Sequence, residues 1–281
     1  MQTVVQILLV LLALFALLLA IGWVGLRWKP GVFPRCAPQP EPPPAPAEWP
    51  PDLPAPVRRA LGAVLPNGPQ PVSTAVISGR AVLRIKGLPL RARFRFIHEA
   101  GRNYRHQIEA TWFGWPILKV NESLIDGYPR MALGPLGTFE GTSPLRQAAP
   151  LGLWAESIWL PSLLATESRL RWQVLDDLHV RLFVPFEAGD EQLLIAFDAT
   201  TGRIASLDAQ RYRDADEDAV KLGSHCAVHE YGDCGGVMAP RQASLQWSDM
   251  RQPWAEWTVE EVVYNADVSG ITRPDPGRAG D

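Results

Sequence analysis

The sequence predicts a mainly β fold of the α+β kind. It is read as a curved antiparallel sheet or half-barrel of about 10–12 strands wrapped round a central helix, behind an N-terminal transmembrane helix. Three observations lead there. Residues Met1 to Leu26 carry no charged side chain. From Arg80 to Trp112 apolar and polar residues alternate with period two. Finally, one segment, Pro150 to Leu164, breaks that period and reads as a helix.

The opening segment sets the organisation. From Val4 to Val24 the chain is almost wholly Leu, Val, Ala, Ile and Phe. About 20 such residues span a hydrocarbon core of about 30 Å. Trp23 and Trp28 stand at the far end, where amphipathic rings favour the interface. A cleaved signal peptide is the competing reading, but no Lys or Arg precedes the run and it is too long for such an apolar core. We therefore expect a single-pass anchor over 1–27 in the plasma (inner) membrane. Arg27, Lys29 and Arg35 follow the span, which favours a cytoplasmic body, whereas the Pro-rich tether and the cysteines favour the opposite side.

Between Pro30 and Pro56, 12 of the 27 residues are proline, Pro42-Pro43-Pro44 among them. Residues 28–56 thus read as an extended, semi-rigid tether. Residues 57–268 form one β-rich domain, and 269–281 a flexible tail. A net charge of −3 gives no reason to expect nucleic acid as a partner.

In the domain, Ala55 to Val64 reads as a short helix stopped by Leu65-Pro66-Asn67-Gly68-Pro69. Ala81, Leu83 and Ile85 then alternate with Arg80, Val82, Arg84 and Lys86, and the chain turns at Gly87-Leu88-Pro89. Leu90, Ala92, Phe94 and Phe96 alternate with Arg91, Arg93 and Arg95, and Tyr104, His106, Ile108, Ala110 and Trp112 with Arg105, Gln107, Glu109 and Thr111. This is a meander with one buried and one polar face. Further strands are expected near 115–125, 128–133, 136–142, 169–175, 178–186, 191–198, 202–213, 241–248 and 256–266, with turns at Asp126-Gly127, Gly189-Asp190 and Thr201-Gly202. The helix over 150–164 is the natural filler of the curl, with Pro150 in its first turn and Pro161 kinking or ending it.

Within this helix, Ala155-Glu156, Trp159, Pro161, Leu163 and Leu164 resemble the signature of a family of uncharacterised bacterial proteins, whose members often carry an N-terminal membrane span. Gly152 stands where that signature has arginine. The resemblance implies no activity. Its layout is similar to bacterial carriers of lipids and lipoproteins, in which a curved sheet and helices enclose an apolar cavity. A lipid or acyl ligand is the expectation that follows, lined first by Trp112, Trp154, Trp159 and Trp172.

Four groups of residues are candidates for chemistry. Glu156, between Trp154 and Trp159, is either a buried carboxylate of raised pKa or a structural glutamate bonded to nearby strands. Arg80, Arg84, Lys86, Arg91, Arg93 and Arg95 project from one face of a hairpin, which is either a surface for anionic lipid headgroups or an ordinary solvated face. His225, Cys226, His229 and Cys234 gather four soft-metal ligands in ten residues, though in no standard zinc spacing. A Cys226–Cys234 disulfide is the rival there. Lastly, Asp214, Asp216 and Asp218 mimic a calcium loop but lack its glycine, and read as a solvated acidic loop. No Gly-x-Ser-x-Gly elbow, phosphate loop or His-Glu-x-x-His is present, so no catalytic residue and no cofactor is expected. The alternatives to a lipid binder are a non-enzymatic envelope scaffold and, further off, a hydrolase or metalloprotein.

Overall fold

A computed structural model describes residues 2–36, 45–186 and 191–271. The Pro42-Pro43-Pro44 cluster, the Gly189-Asp190 turn and the tail beyond 271 lie outside the described residues. Thirteen antiparallel strands form one curved, unclosed sheet in the order β6-β5-β4-β3-β2-β1-β13-β12-β11-β10-β9-β8-β7. They are β1 (Thr74–Ile85), β2 (Leu88–Glu99), β3 (Asn103–Trp112), β4 (Trp115–Ile125), β5 (Tyr128–Ala132), β6 (Thr138–Glu140), β7 (Arg171–Val174), β8 (His179–Val184), β9 (Glu191–Phe197), β10 (Ile204–Tyr212), β11 (Lys221–Asp233), β12 (Met238–Trp247) and β13 (Ala255–Tyr264). Each half is a simple meander. The halves meet where the first strand pairs the last, with Arg80 opposite Thr258 and Ala81 opposite Trp257.

Turn chemistry explains the first meander. Lys86-Gly87, Phe113-Gly114 and Asp126-Gly127 each place two successive residues at positive φ, near 49° and 80°. That is the type I′ turn, whose twist matches the flanking strands. At the seam between the halves a β-bulge lies at Ser78/Gly79. A Cβ on Gly79 would stand 2.1 Å from the Thr258 carbonyl oxygen, so only glycine allows the two backbones to approach there.

Helix α1 (Gln2–Arg27) is long and apolar enough to cross a membrane. Helices α2 (Ala55–Gly62), α3 (Ser143–Ala155) and α4 (Pro161–Thr166), with a 3-10 turn at Glu156–Trp159, fill the concave side of the sheet. Val57 and Leu61 of α2, Leu151 and Trp154 of α3, and Leu160 and Leu164 join Phe94, Phe96, Ile195 and Trp257 from the strands in one core.

Three differences from the sequence reading have physical causes. First, the central helix starts earlier, at Ser143. Thr142 caps it by accepting from the Leu145 amide (3.4 Å) and Pro144 occupies the first turn, so Pro150 falls inside it. Second, Pro161 opens the separate helix α4. Third, residues 221–233, for which no strand is expected from the sequence, form the long strand β11 between β10 and β12. Gly223 and Gly232 disguised it.

The described parts of the tether run along the domain. The Pro30 and Pro34 carbonyls accept from Arg80 and Arg95. The Phe33 ring sits 4.6 Å from the Arg93 guanidinium and 4.9 Å from that of Arg95. Further on, Trp49 packs against the core and the Ala47 amide donates to Pro69 O (2.7 Å).

Candidate functional site

The inward faces of β2, β3 and β4 carry a polar cluster in otherwise apolar surroundings. His98 continues the inward series Ala92, Phe94, Phe96, and His106 follows Tyr104 on the next strand. Register sets Phe96 opposite His106, His98 opposite Tyr104, and His106 opposite Glu122. Glu156 enters from the 3-10 turn. Its Oε2 lies 2.8 Å from His106 Nε2 and 2.9 Å from His98 Nε2. The Tyr104 hydroxyl donates to Glu122 Oε1 (2.5 Å), and Glu122 Oε2 stands 3.8 Å from His106 Nδ1. The His106 ring stacks on Tyr104 and lies against Phe96, both at 4.2 Å.

Electrostatics follow from this crowding. Burial disfavours the Glu156 carboxylate, but His106 and His98 outweigh it and hold its pKa down to about 2. Of the two alternatives for Glu156, this is not the carboxylate of raised pKa. Burial lowers the His106 pKa while Glu156 and Glu122 raise it, and the carboxylates win, at about 9. Glu122 is likewise lowered despite burial, chiefly by its hydrogen bond with His106. Tyr104 is raised by burial first and by Glu122 second. Glu156 is thus bonded to strand histidines, the structural alternative raised for it, but its partners make the site more than a brace. On the next turn of α3, a Cβ at Gly152 would lie 3.4 Å from the Arg211 guanidinium, which β10 extends into this region.

His98 and His106 are not among the candidate site residues of the sequence reading, although the alternation places His106 on the inward series of its strand. Their signal was phase, since each falls on the apolar parity of its strand, where a histidine must find partners.

The other candidates are placed differently. Trp154 (2 % exposed) and Trp159 (3 %) are core members, the latter donating to Pro240 O at 3.0 Å. Trp172 is half-buried against the same core, while Trp112 is exposed at the far end of β3. These four tryptophans do not line a common space.

The six basic residues share a face, and four are engaged. Arg80 pairs with Glu260, Arg84 with Glu256 (3.0 Å) and Arg93 with Glu109, while Arg95 meets Pro34 O and Phe33. Acidic neighbours and the chain's own residues 30–34 cover that face, as an ion-paired surface would be. Lys86 and Arg91 lie at its open end, beside the β1–β2 turn.

The quartet His225, Cys226, His229 and Cys234 is spread along β11 and just past it. His225 meets Asp208 (2.7 Å) on the outside, and His229 meets Ser244 (2.8 Å). At about 3.3 Å per residue the two cysteines are roughly 25 Å apart. A disulfide requires Cα atoms within about 7 Å. Both are free thiols, and neither the disulfide nor a shared ion is possible along an extended strand. Burial pushes the Cys226 thiol up to about 12 and raises that of Cys234. We therefore expect both to react slowly with a disulfide reagent at pH 8 in the native protein, and at full rate in urea. A mass two hydrogens short of the reduced chain would contradict this. In the acidic loop, Arg213 pairs with Asp214 and Asp249, and Glu217 accepts from the Ser143 amide at the start of α3.

The end of the sheet nearest α1 has a character of its own. The Phe113 amide donates to Gly25 O (2.9 Å), and Trp112 Nε1 to Gly22 O (3.2 Å). Trp28 lies 5.9 Å from the Phe113 ring. Phe113 is a bulky residue held at φ 48°, a conformation that persists only where surroundings enforce it. Beside this junction Trp112, Trp115, Ile117, Leu88 and Leu136 are all exposed, Trp115 by 75 %. The β1–β2, β3–β4 and β5–β6 turns bring them to one rim.

The model of DUF6544, a family of unknown function, matches residues 45–257. No protein with a curated description matches the chain. Among solved structures the chain is similar to a LolA superfamily protein from Nitrosomonas europaea, at 9 % identity and TM-score 0.46, covering 79 % of this chain and 97 % of that one. It is similar to a putative outer membrane lipoprotein-sorting protein domain from Vibrio parahaemolyticus, at 7 % identity and TM-score 0.40, with 72 % and 92 % covered. A DUF1329 family protein from Desulfovibrio piger shares 9 % identity at TM-score 0.43, with 75 % and 92 % covered.

Proposed function

Since the chain belongs to DUF6544, a family of unknown function, we propose its role from its own geometry: it is a membrane-held domain whose working surface is lipid. In this reading α1 spans the bilayer, the β3–β4 turn rests in the interface, and the apolar rim takes lipid or acyl chains from the surface it lies on. The observation that supports it most is the junction itself. Two hydrogen bonds fix the Trp112-Phe113 tip to Gly22 and Gly25 in the last turns of α1, which supports a rim lying where, in this reading, the helix leaves the membrane. Tryptophan at that depth is favourable, because its ring is apolar and its N–H is polar. Trp154 and Trp159 belong to the core, so the proposed lipid surface is the rim and not the interior.

A photoreactive lipid tests this. The full-length chain is placed in nanodiscs containing a phospholipid with a diazirine near the headgroup end of its acyl chain. Peptide mapping after illumination should find adducts over 112–117 as well as on α1. Trp115→Ser with Ile117→Ser should lower the rim adducts severalfold and leave those on α1 unchanged. Adducts confined to α1 would sink the reading.

A further inference from the structure

We propose that His98, His106 and Glu156 form a binding site for one divalent transition-metal ion of the zinc or iron(II) class. One donor atom from each lies within 4.8 Å of the others, and Glu156 Oε2 is 2.8 Å from His106 Nε2 and 2.9 Å from His98 Nε2. Three elements deliver them, β2, β3 and the 3-10 turn. The two histidines are neighbours across a ladder of fixed register, so their convergence does not depend on a loop.

The hydrogen bonding around the cluster is incomplete in an informative way. His98 Nε2 is buried and 2.9 Å from Glu156 Oε2, yet it makes no hydrogen bond there and has no such partner among the described residues. An orphaned ring nitrogen in an apolar interior costs about 1–3 kcal/mol, and such atoms call for an explanation. His106 has the complementary feature. Its Nδ1 faces Glu122, which is itself held by the Tyr104 hydroxyl. In the ion-free chain the His106 Nε2–H faces the Glu156 oxygen 2.8 Å away; an ion takes the place of that proton while Nδ1, facing Glu122, keeps its own. Two nitrogen lone pairs and a carboxylate oxygen then converge on one point, an arrangement that a cation among them satisfies. A carboxylate behind a metal-binding histidine is the usual means of fixing its tautomer and raising its basicity. Tyr104 and Glu122 supply that layer.

Ligand chemistry narrows the ion. Two imidazoles and one carboxylate suit zinc, iron or their first-row neighbours, whereas calcium and magnesium prefer all-oxygen shells. Two neutral histidines and one carboxylate carry a single negative charge, which leaves the occupied site at +1. Tetrahedral donors at about 2.0–2.1 Å from zinc stand roughly 3.4 Å apart, so occupancy needs the two Glu156–histidine separations of 2.8 and 2.9 Å to widen by about 0.5 Å and the two histidine nitrogens to settle at a similar spacing, through side-chain rotations. Three protein donors leave at least one position for water or a ligand, the pattern of reactive rather than purely structural sites. This site is independent of the lipid surface proposed above, since His98 and His106 lie toward the other ends of β2 and β3 from Leu88 and Trp112 and the site shares no residue with the rim.

Metal analysis of the untagged full-length chain decides the matter. Purified in detergent and dialysed against zinc or, without oxygen, iron(II), it should retain about one ion per chain. The cobalt(II) form should show the visible absorption of a low-coordinate site. His98→Gln, His106→Gln and Glu156→Gln should each abolish retention, while His225→Gln, on the far outer face, should retain the ion. Glu122→Gln should weaken binding by about 10–100-fold. Should the ligand variants fail to fold, the wild-type chain alone still answers: chelation should lower its melting temperature and the ion should restore it. Wild-type protein that retains neither ion and melts identically with chelator overturns the proposal, as does undiminished binding in folded His98→Gln.

Discussion

Full-length Trp159→Ala is expected to be the least stable single variant in the core, by about 4–5 kcal/mol. Truncating a buried tryptophan loses about 3–5 kcal/mol through the cavity alone. Trp159 does more than fill space. Its ring lies 6.1 Å from Phe96 on β2, its indole donates to Pro240 O on β12, and its own carbonyl accepts from the Tyr264 hydroxyl of β13 at 2.8 Å. One side chain thus touches both meanders beside the seam that joins them. Alanine leaves the Pro240 carbonyl without its donor, a further cost that collapse of the site cannot recover. Against a typical stability of about 5–15 kcal/mol this is a large share, and for a domain of this size it lowers the melting temperature by about 8–20 °C. Trp159→Phe should cost less than half as much. Thermal unfolding followed by near-ultraviolet circular dichroism distinguishes them, and equal losses for Phe and Ala would show that the indole bond, not the volume, is what matters.

Glu156→Ala is expected to cost about 3 kcal/mol in the ion-free chain, because it leaves buried His106 Nε2 without its hydrogen-bond partner and removes the carboxylate that faces buried His98. The residue's side chain is 18 % exposed, which sets the effect at the lower end of the range for a broken buried pair. Glu156→Gln, which keeps an oxygen, should cost roughly half. The pH dependence has a definite sign. Glu156 is lowered to about 2 from an ordinary 4.5, so its contribution is complete above the ordinary value and fades as the pH falls toward 2. His106 is raised to about 9 from 6.5, so its contribution is complete below 6.5 and is lost as the pH rises through 9. With chelator present, the gap between wild type and Glu156→Gln should therefore be widest between pH 4.5 and 6.5 and should shrink by pH 9.5. A gap that does not vary with pH would mean that the cluster is held by packing rather than charge.

How far the sequence led depended on which signal was periodic. Strict alternation through Leu83, Phe94 and Ile108 located the first meander and its buried face, because a period of two has one structural meaning. The same alternation held His98 and His106 in plain view, but nothing local says that two inward histidines on different strands converge with a helix glutamate fifty residues on. That fact belongs to register. The quartet around Cys226 failed for the opposite reason. Closeness in sequence looked like closeness in space, and an extended strand converts it into distance. Tryptophan number likewise cannot tell a cavity lining from a packed interior, and here Trp154 and Trp159 proved to be interior. The aromatic rim was hidden because Trp112 and Trp115 acquire their meaning only from the end of α1 that lies against them.

The pairing of the first strand with the last gives the fold a timetable. Arg80 leaves the ribosome some 180 residues before its partner Thr258, and at about 5–20 residues per second the free edge of β1 waits on the order of ten seconds to half a minute. A long unpaired strand edge is a template for its neighbours on other nascent chains. During that interval residues 30–34 have already been made and can settle on the outer face of the same hairpin while the edge waits. A chain that ends before β13 never completes the sheet. It is left with two meanders that only the helices connect, and translation to Tyr264 is the step that turns them into one body.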